Sequence, residues 1–142
     1  MNRCNYRRYE IFTVLKYYLD SSFIVSLILK DVNAQRLLDS LKGDLFTSKL
    51  GRSEVIRSLT KFNIDKINQA EEFFERVTLL DITDLVLTVV ESYPREITLK
   101  TSDAIHVATA GLILEDGDSL ATFDKQMATN AERLGIPVLT FS

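Results

Sequence analysis

The sequence predicts an α/β fold in which a central, mostly parallel sheet is flanked by helices. Short apolar segments alternate with amphipathic segments from about residue 16 to the end of the chain. No repeat, linker or low-complexity tract interrupts them, and 142 residues suit one domain with a single core. Strands that alternate with helices require parallel pairing and right-handed crossovers, which produces a layered α/β sandwich.

The predicted strands are short apolar segments bounded by polar or turn-forming residues. Each of them is long enough for a strand but too short for an ordinary helix. In chain order they are Tyr17–Asp20, Asp44–Ser48, Val77–Ile82, Leu120–Phe123 and Pro137–Phe141.

Helices are predicted between these strands, where apolar residues recur at helical spacing. Ser102–Leu114 is the clearest. Asp84–Tyr93 is rich in Val and Leu and could form a strand or a helix, but Thr83 as a cap and Pro94 as a stop favour the helix. The others run from Ser21 or Ser22 to about Lys30, then over Asn33–Leu41, Lys49–Phe62, Asp65–Arg76 and Lys125–Leu134.

Composition excludes several classes of protein. The net charge of −3 argues against a protein that coats nucleic acid, and 46% hydrophobic with 26% charged residues is typical of a globular domain. A single cysteine, Cys4, rules out an internal disulfide and favours a reducing cytoplasm. The longest apolar segments are far shorter than the roughly 20 residues of a membrane helix. Met1–Lys16 is a poor signal peptide, so we predict an N-terminal extension over residues 1–15 and one domain over 16–142.

Four carboxylates stand where an apolar segment meets a turn or where a helix begins. They are Asp20, Glu54, Asp103 and Asp124. In α/β sheets the crevice beyond the carboxyl ends of the strands is the usual binding site, so these side chains are expected to converge there. Four converging negative charges repel one another unless a hard cation lies among them. The pattern therefore indicates a hydrolase that depends on Mg²⁺ or Mn²⁺.

The segments around these acids resemble the PIN-domain family. In family order they are Tyr18-Leu19-Asp20-Ser21-Ser22, the helix that carries Glu54, Ser102-Asp103-Ala104-Ile105-His106-Val107-Ala108-Thr109-Ala110, Ala121-Thr122-Phe123-Asp124-Lys125 and Leu134-Gly135-Ile136-Pro137-Val138. The resemblance extends from Lys16 to Phe141, and in size the chain is similar to the VapC-like toxin ribonucleases of prokaryotic toxin–antitoxin pairs.

This resemblance implies a PIN-like three-layer sandwich that cleaves single-stranded RNA at a Mg²⁺ or Mn²⁺ site. The implied catalytic and metal-binding set is Asp20, Glu54, Asp103 and Asp124, supported by Ser22 and Thr122. Thr122 lies two residues before Asp124, so on a strand both side chains face the same way, which supports its role independently. A cognate antitoxin that occludes the site and a homodimer are implied on the same basis.

Each residue also has a simpler interpretation. Asp20 and Asp103 could serve only as helix N-terminal residues. Arg57 follows Glu54 at i+3 and Lys61 follows it at i+7, so they either form surface ion pairs or meet RNA phosphates beside the site. Lys125 either contacts phosphate or is solvated. His106, at i+3 from Asp103, could face the site, although packing against neighbouring turns is the favoured interpretation.

Two other functions compete with the nuclease. A phosphatase or a phosphoacceptor receiver domain also uses an aspartate at the end of an early strand, but the receiver needs a lysine at the end of a late strand, and Lys125 follows Asp124 instead. A non-catalytic RNA-binding or scaffold domain would keep the fold without the activity. Cleavage of RNA with and without a chelator separates these possibilities.

Overall fold

The computed structural model describes residues 14–139. The predicted N-terminal extension, residues 1–15, therefore lies outside the described residues except for Val14 and Leu15, and Leu15 already begins the first strand.

Four parallel strands form the central sheet of the described chain. They are β1 (Leu15–Leu19), β2 (Gly43–Ser48), β3 (Val77–Leu80) and β4 (Ser119–Ala121). The spatial order is β3-β2-β1-β4, so β1 and β2 occupy the centre. Tyr18 of β1 is paired with Phe46 of β2 on one side and with Leu120 of β4 on the other. The predicted parallel sheet is confirmed.

Seven α-helices cover the two faces of the sheet within residues 14–139. They are α1 (Ser21–Ile28), α2 (Val32–Ser40), α3 (Lys49–Phe62), α4 (Ile67–Phe74), α5 (Asp84–Ser92), α6 (Thr101–Ile113) and α7 (Lys125–Arg133). The ambiguous segment is a helix, as predicted, because the Thr83 side chain accepts a hydrogen bond from the Val86 amide and caps its first turn.

The alternating side chains of β1 divide the core into two layers. Tyr17 and Leu19 pack on one face with Phe23 and other side chains. Tyr18 packs on the opposite face with a cluster that includes Val107. Each large apolar side chain buried in this way stabilises the fold by about 1.5–3 kcal/mol. Helices therefore pack on both faces, and the three-layer sandwich is confirmed.

Two predicted elements differ from the structure. The helix predicted over Asp65–Arg76 begins as a 3₁₀ turn, Ile64–Lys66, and continues as α4 only to Phe74. The strand predicted over Pro137–Phe141 is wrong in its described part, since Val138 makes an isolated bridge to Leu120. Pro137 has no N–H to donate to a ladder, which limits pairing there. Residues 140–142 of that segment lie outside the described range.

Candidate active site

Two of the four predicted acids emerge from neighbouring strands at the carboxyl edge of the sheet. Asp20 follows β1 and Asp124 follows β4 after a short turn, and these strands are paired in parallel. Glu54 lies on α3 and Asp103 on α6, two helices that contact each other. The sheet and this pair of helices thus supply the acids from two directions.

Asp20 is buried, with only 2% of its surface exposed, and neutral donors surround its carboxylate. Oδ1 accepts the Phe23 amide at 2.9 Å, so Asp20 caps α1. The Ser22 hydroxyl donates to both oxygens at 2.9 Å. Burial raises the pKa of Asp20, while the hydrogen bonds from Thr122, the Phe23 amide and Ser22 oppose this rise.

Thr122 connects the acids of two neighbouring strands. Its hydroxyl donates to Asp20 Oδ2 at 2.5 Å and accepts the Asp124 amide at 2.9 Å. The Asp124 carboxylate accepts the Met127 amide at 3.0 Å and caps α7. Because one hydroxyl fixes both the Asp20 side chain and the Asp124 backbone, Thr122 sets their relative position.

Asp103 lies in the first turn of α6 and is half-buried. Burial raises the pKa of its carboxyl, and repulsion from Asp124 and from Glu54 raises it further, while Lys100 and His106 lower it. Asp103 therefore lies within electrostatic range of both other acids. Asp20 and Asp124 each cap a helix. Asp103 does not, because Lys100 occupies the cap position of α6 and no side chain caps that helix.

Glu54 has a different partner from the one considered in the sequence. Its Oε1 lies 2.5 Å from His106 Nε2, and its side chain is 32% exposed. Within the described chain no ion pair joins Glu54 to Arg57. Arg57 and Lys61 are exposed on α3, so both remain available to a ligand. Lys125 is exposed at the first position of α7, directly after Asp124.

The structure adds a hydrogen-bonded pair that the sequence analysis did not assign to the site. His106 is fully buried, and its Nδ1 lies 2.7 Å from the Tyr18 hydroxyl. The sequence analysis favoured packing for His106 and gave Tyr18 no role. The available signal was spacing, since Tyr18 precedes Asp20 by two residues and His106 follows Asp103 by three.

The donor set has the chemistry of a site for a hard divalent cation. All four predicted ligands are carboxylates, and the repulsion that raises the pKa of Asp103 is what a bound cation would relieve. Within residues 14–139 no three Asp, Glu, His or Cys side chains are grouped closely enough to form a ready-made metal cage. A bound Mg²⁺ keeps several waters, so it needs only part of its coordination from carboxylates.

Comparison with known proteins assigns this chain to a family. The family model described as the PIN domain matches residues 17–134. The chain belongs to the PIN-domain family. The PIN-domain protein ribonuclease VapC46 of Mycobacterium tuberculosis is 35% identical over 129 residues, which cover 86% of this chain and 95% of that protein.

Solved structures of other proteins share the fold at lower identity. A toxin–antitoxin complex from Klebsiella pneumoniae matches with a TM-score of 0.70 and 24% identity, covering 87% of this chain and 96% of that chain. VapC20 of Mycobacterium tuberculosis, a toxin that cleaves the sarcin-ricin loop, matches with a TM-score of 0.66 and 19% identity, covering 80% and 93%. At these identities the structural matches support the fold alone.

Membership of the PIN-domain family narrows the functions considered above. PIN domains are nucleases, and PIN-domain ribonucleases as a class depend on a metal. The phosphatase and receiver-domain alternatives are therefore set aside. Among residues 14–139, no helix has the length and apolar character needed to span a membrane.

Proposed function

We propose that this PIN-domain protein is a Mg²⁺- or Mn²⁺-dependent endoribonuclease that cleaves single-stranded RNA and acts as the toxin of a toxin–antitoxin pair. The observation that carries the proposal is geometric: Asp20 and Asp124 follow paired parallel strands at the carboxyl edge of the sheet, and the Thr122 hydroxyl is hydrogen-bonded to both residues. The two helices that carry Glu54 and Asp103 contact each other. The similarity to ribonuclease VapC46 supports the reaction type. The nuclease domain would span residues 16–142, with residues 1–15 as an extension.

In this proposal Asp20, Glu54, Asp103 and Asp124 hold the metal and are the catalytic residues. When bound, a divalent ion lowers the pKa of a water and offsets charge on the phosphodiester. Asp20 is held in one orientation by Ser22 and Thr122, which donate hydrogen bonds to its carboxylate. These donors are neutral, so they orient the carboxylate without adding a positive charge beside it.

Three exposed basic residues are proposed to guide RNA into the site. Arg57 and Lys61 extend from the helix that carries Glu54, and Lys125 follows Asp124. A groove of about 770 Å³ runs beside Asp124 and Lys125 and includes Arg36, so cations flank the acids on this side. Lys and Arg at such positions neutralise phosphates and give binding without sequence preference.

The proposal also includes the protein partners and the location of this chain in the cell. The Klebsiella pneumoniae neighbour was solved as a toxin–antitoxin complex, and we extend a cognate antitoxin to this chain. Phe62 and Ile64 are 78% and 70% exposed, so they offer apolar contacts to a protein partner. We also expect a homodimer, which the family resemblance implies. A cytoplasmic location is expected because substrate RNA is found there.

A cleavage assay tests the function directly. Purified protein is incubated with a single-stranded RNA oligonucleotide and Mg²⁺ or Mn²⁺, with and without excess EDTA. Asp103→Asn serves as the site variant, and Asp116→Asn, an exposed acid in the turn before β4, serves as the matched control. We expect cleavage by wild type and Asp116→Asn that stops in EDTA, and none by Asp103→Asn. Cleavage that continues in EDTA would rule out the metal mechanism, and binding without cleavage would favour the scaffold alternative.

A further inference from the structure

His106 is the only histidine in the chain, and both of its ring nitrogens are engaged in hydrogen bonds within the protein core. Nδ1 lies 2.7 Å from the Tyr18 hydroxyl, and Nε2 lies 2.5 Å from Glu54 Oε1. Tyr18 is itself fully buried on β1, two residues before Asp20. The ring therefore connects the central strand to the acid on α3.

The direction of these hydrogen bonds is set by a backbone amide. The Ser48 N–H donates to the Tyr18 hydroxyl oxygen at 3.1 Å, so the oxygen already accepts one hydrogen bond. In the arrangement that uses both contacts of this oxygen, the phenol hydrogen points to the imidazole ring. Nδ1 accepts this hydrogen, and the ring hydrogen lies on Nε2, because a carboxylate oxygen such as Glu54 Oε1 can only accept.

The ring has little room to move away from this position. A Cβ at Gly51, which lies on α3 one turn before Glu54, would come 3.0 Å from His106 Cε1 and 2.6 Å from Thr47 Oγ1. The glycine thus lets the ring edge that carries both nitrogens lie against the α3 backbone. The same close approach brings Nε2 within reach of Glu54.

We propose that Tyr18 and His106 are positioning residues for Glu54. The Ser48 N–H donates to the Tyr18 hydroxyl, that hydroxyl donates to His106 Nδ1, and His106 Nε2–H donates to Glu54 Oε1, so that through this relay Glu54 would be held ready to bind the metal. The inference rests on the proposed function, because it assigns these residues to the same site. Neither side chain touches the metal or the RNA. The Glu54 side chain is 32% exposed, and the relay holds it in one orientation.

The tautomer of His106 is the most direct readout of the relay. Because the chain has one histidine, a long-range proton–nitrogen NMR spectrum contains one imidazole and needs no assignment by mutation. We expect hydrogen on Nε2 and an unprotonated Nδ1 in metal-free wild type. In Tyr18→Phe, which removes the donor to Nδ1, the Nδ1 resonance should shift toward that of a nitrogen that accepts no hydrogen bond. Hydrogen on Nδ1 in the wild-type protein would overturn the relay.

Metal affinity measures the consequence for Glu54. Loss of a group that orients a metal ligand typically weakens metal binding by about 10–100-fold, and we expect that loss for Tyr18→Phe in a calorimetric titration with Mn²⁺. The matched control is Tyr17→Phe, which removes a hydroxyl from the neighbouring residue on the opposite face of β1 and should bind like wild type. Equal affinities for Tyr18→Phe and Tyr17→Phe would overturn the proposal.

A second pair of variants separates positioning from packing. His106→Gln keeps an N–H donor near the place of Nε2, whereas His106→Leu fills the space without one. We expect His106→Gln to bind Mn²⁺ more tightly than His106→Leu, and equal affinities would reduce His106 to a packing residue. The wild-type tautomer is read without metal or RNA. Failure of wild type to cleave RNA would therefore count against the proposed function alone, whereas the wrong tautomer would count against the relay alone.

Discussion

Two buried aspartates lie at opposite edges of the sheet, and their surroundings differ in charge. Asp118, 4% exposed, precedes β4 and accepts the Lys16 amide at 2.8 Å and the Glu115 amide at 2.9 Å. The Lys16 ammonium lies 3.9 Å from its carboxylate. Asp20, 2% exposed, follows β1, and within residues 14–139 the donors to its oxygens are neutral groups.

The comparison shows that the nature of the partner, rather than burial, distinguishes a structural carboxylate from a candidate metal ligand. A buried carboxylate needs compensation, which a cation and two amides give to Asp118. At the opposite edge burial raises the pKa of Asp103 and repulsion from Asp124 and Glu54 adds to this rise, while Lys100 and His106 oppose it. Among residues 14–139, Asp20, Asp103 and Asp124 form no ion pair with a Lys or Arg side chain, whereas Asp118 has Lys16.

The largest expected difference between the two edges of the sheet is in the rate of RNA cleavage. Asp20→Asn should lower kcat/KM for RNA cleavage by about 100-fold or more, because it removes one charge from the metal site. The same change at the other edge, Asp118→Asn, should leave cleavage close to wild type at a temperature at which both proteins are folded. Similar losses in the two variants would mean that the edges do not differ in function.

For stability we expect a substantial effect at the amino edge of the sheet, where Asp118 lies. Asp118→Ala leaves the Lys16 and Glu115 amides without their acceptor and should lower the free energy of unfolding by about 2–4 kcal/mol. Urea denaturation followed by circular dichroism measures this loss. A change below about 0.5 kcal/mol, typical of an ordinary surface site, would show that Asp118 does not anchor the start of β4.

A smaller effect concerns the basic residues beside the acids. Arg57→Ala and Lys61→Ala should each reduce the salt dependence of RNA binding by about one unit of slope, since each removes one phosphate contact. Lys42→Ala is the control, because Lys42 is exposed just before β2 and so lies at the amino edge. Binding measured at several salt concentrations gives the slopes. If Arg57 and Lys61 behave like Lys42, the RNA path lies elsewhere, with Lys49, Arg52 and Lys125 as the next candidates.

The sequence predicted the features of this molecule that depend on local pattern. The alternation of strands and helices, the bounds of α3 and the acids at the ends of β1 and β4 all follow from residues close together in the chain. The relay could not be predicted in this way, because Tyr18 and His106 are 88 residues apart and Glu54 and His106 are 52 apart. Such contacts depend on which strands and helices become neighbours.

Local pattern failed where one residue changed the hydrogen bonding. The apolar run that begins at Pro137 resembles a strand in composition, but the proline cannot donate to β4, and only the bridge at Val138 forms in the described part.

For Asp103 the local pattern suggested a structural role that the residue does not have. Its place in the first turn of a helix suggested capping, and only the structure shows that it caps nothing and is repelled by Asp124 and Glu54.

The melting temperature of Asp103→Asn with and without Mn²⁺ tests the central claim, that the carboxyl edge holds uncompensated acids that bind a metal. At pH 7 in chelator the charged Asp103 suffers from burial and repulsion, which raise its pKa, so neutralising it should leave the melting temperature at or above that of wild type. Loss of a favourable helix-dipole interaction opposes this gain by only about 0.3–1 kcal/mol. Added Mn²⁺ should stabilise the variant less than wild type, because a weaker site gains less by mass action. A small loss in chelator together with an unchanged response to Mn²⁺ would contradict the account.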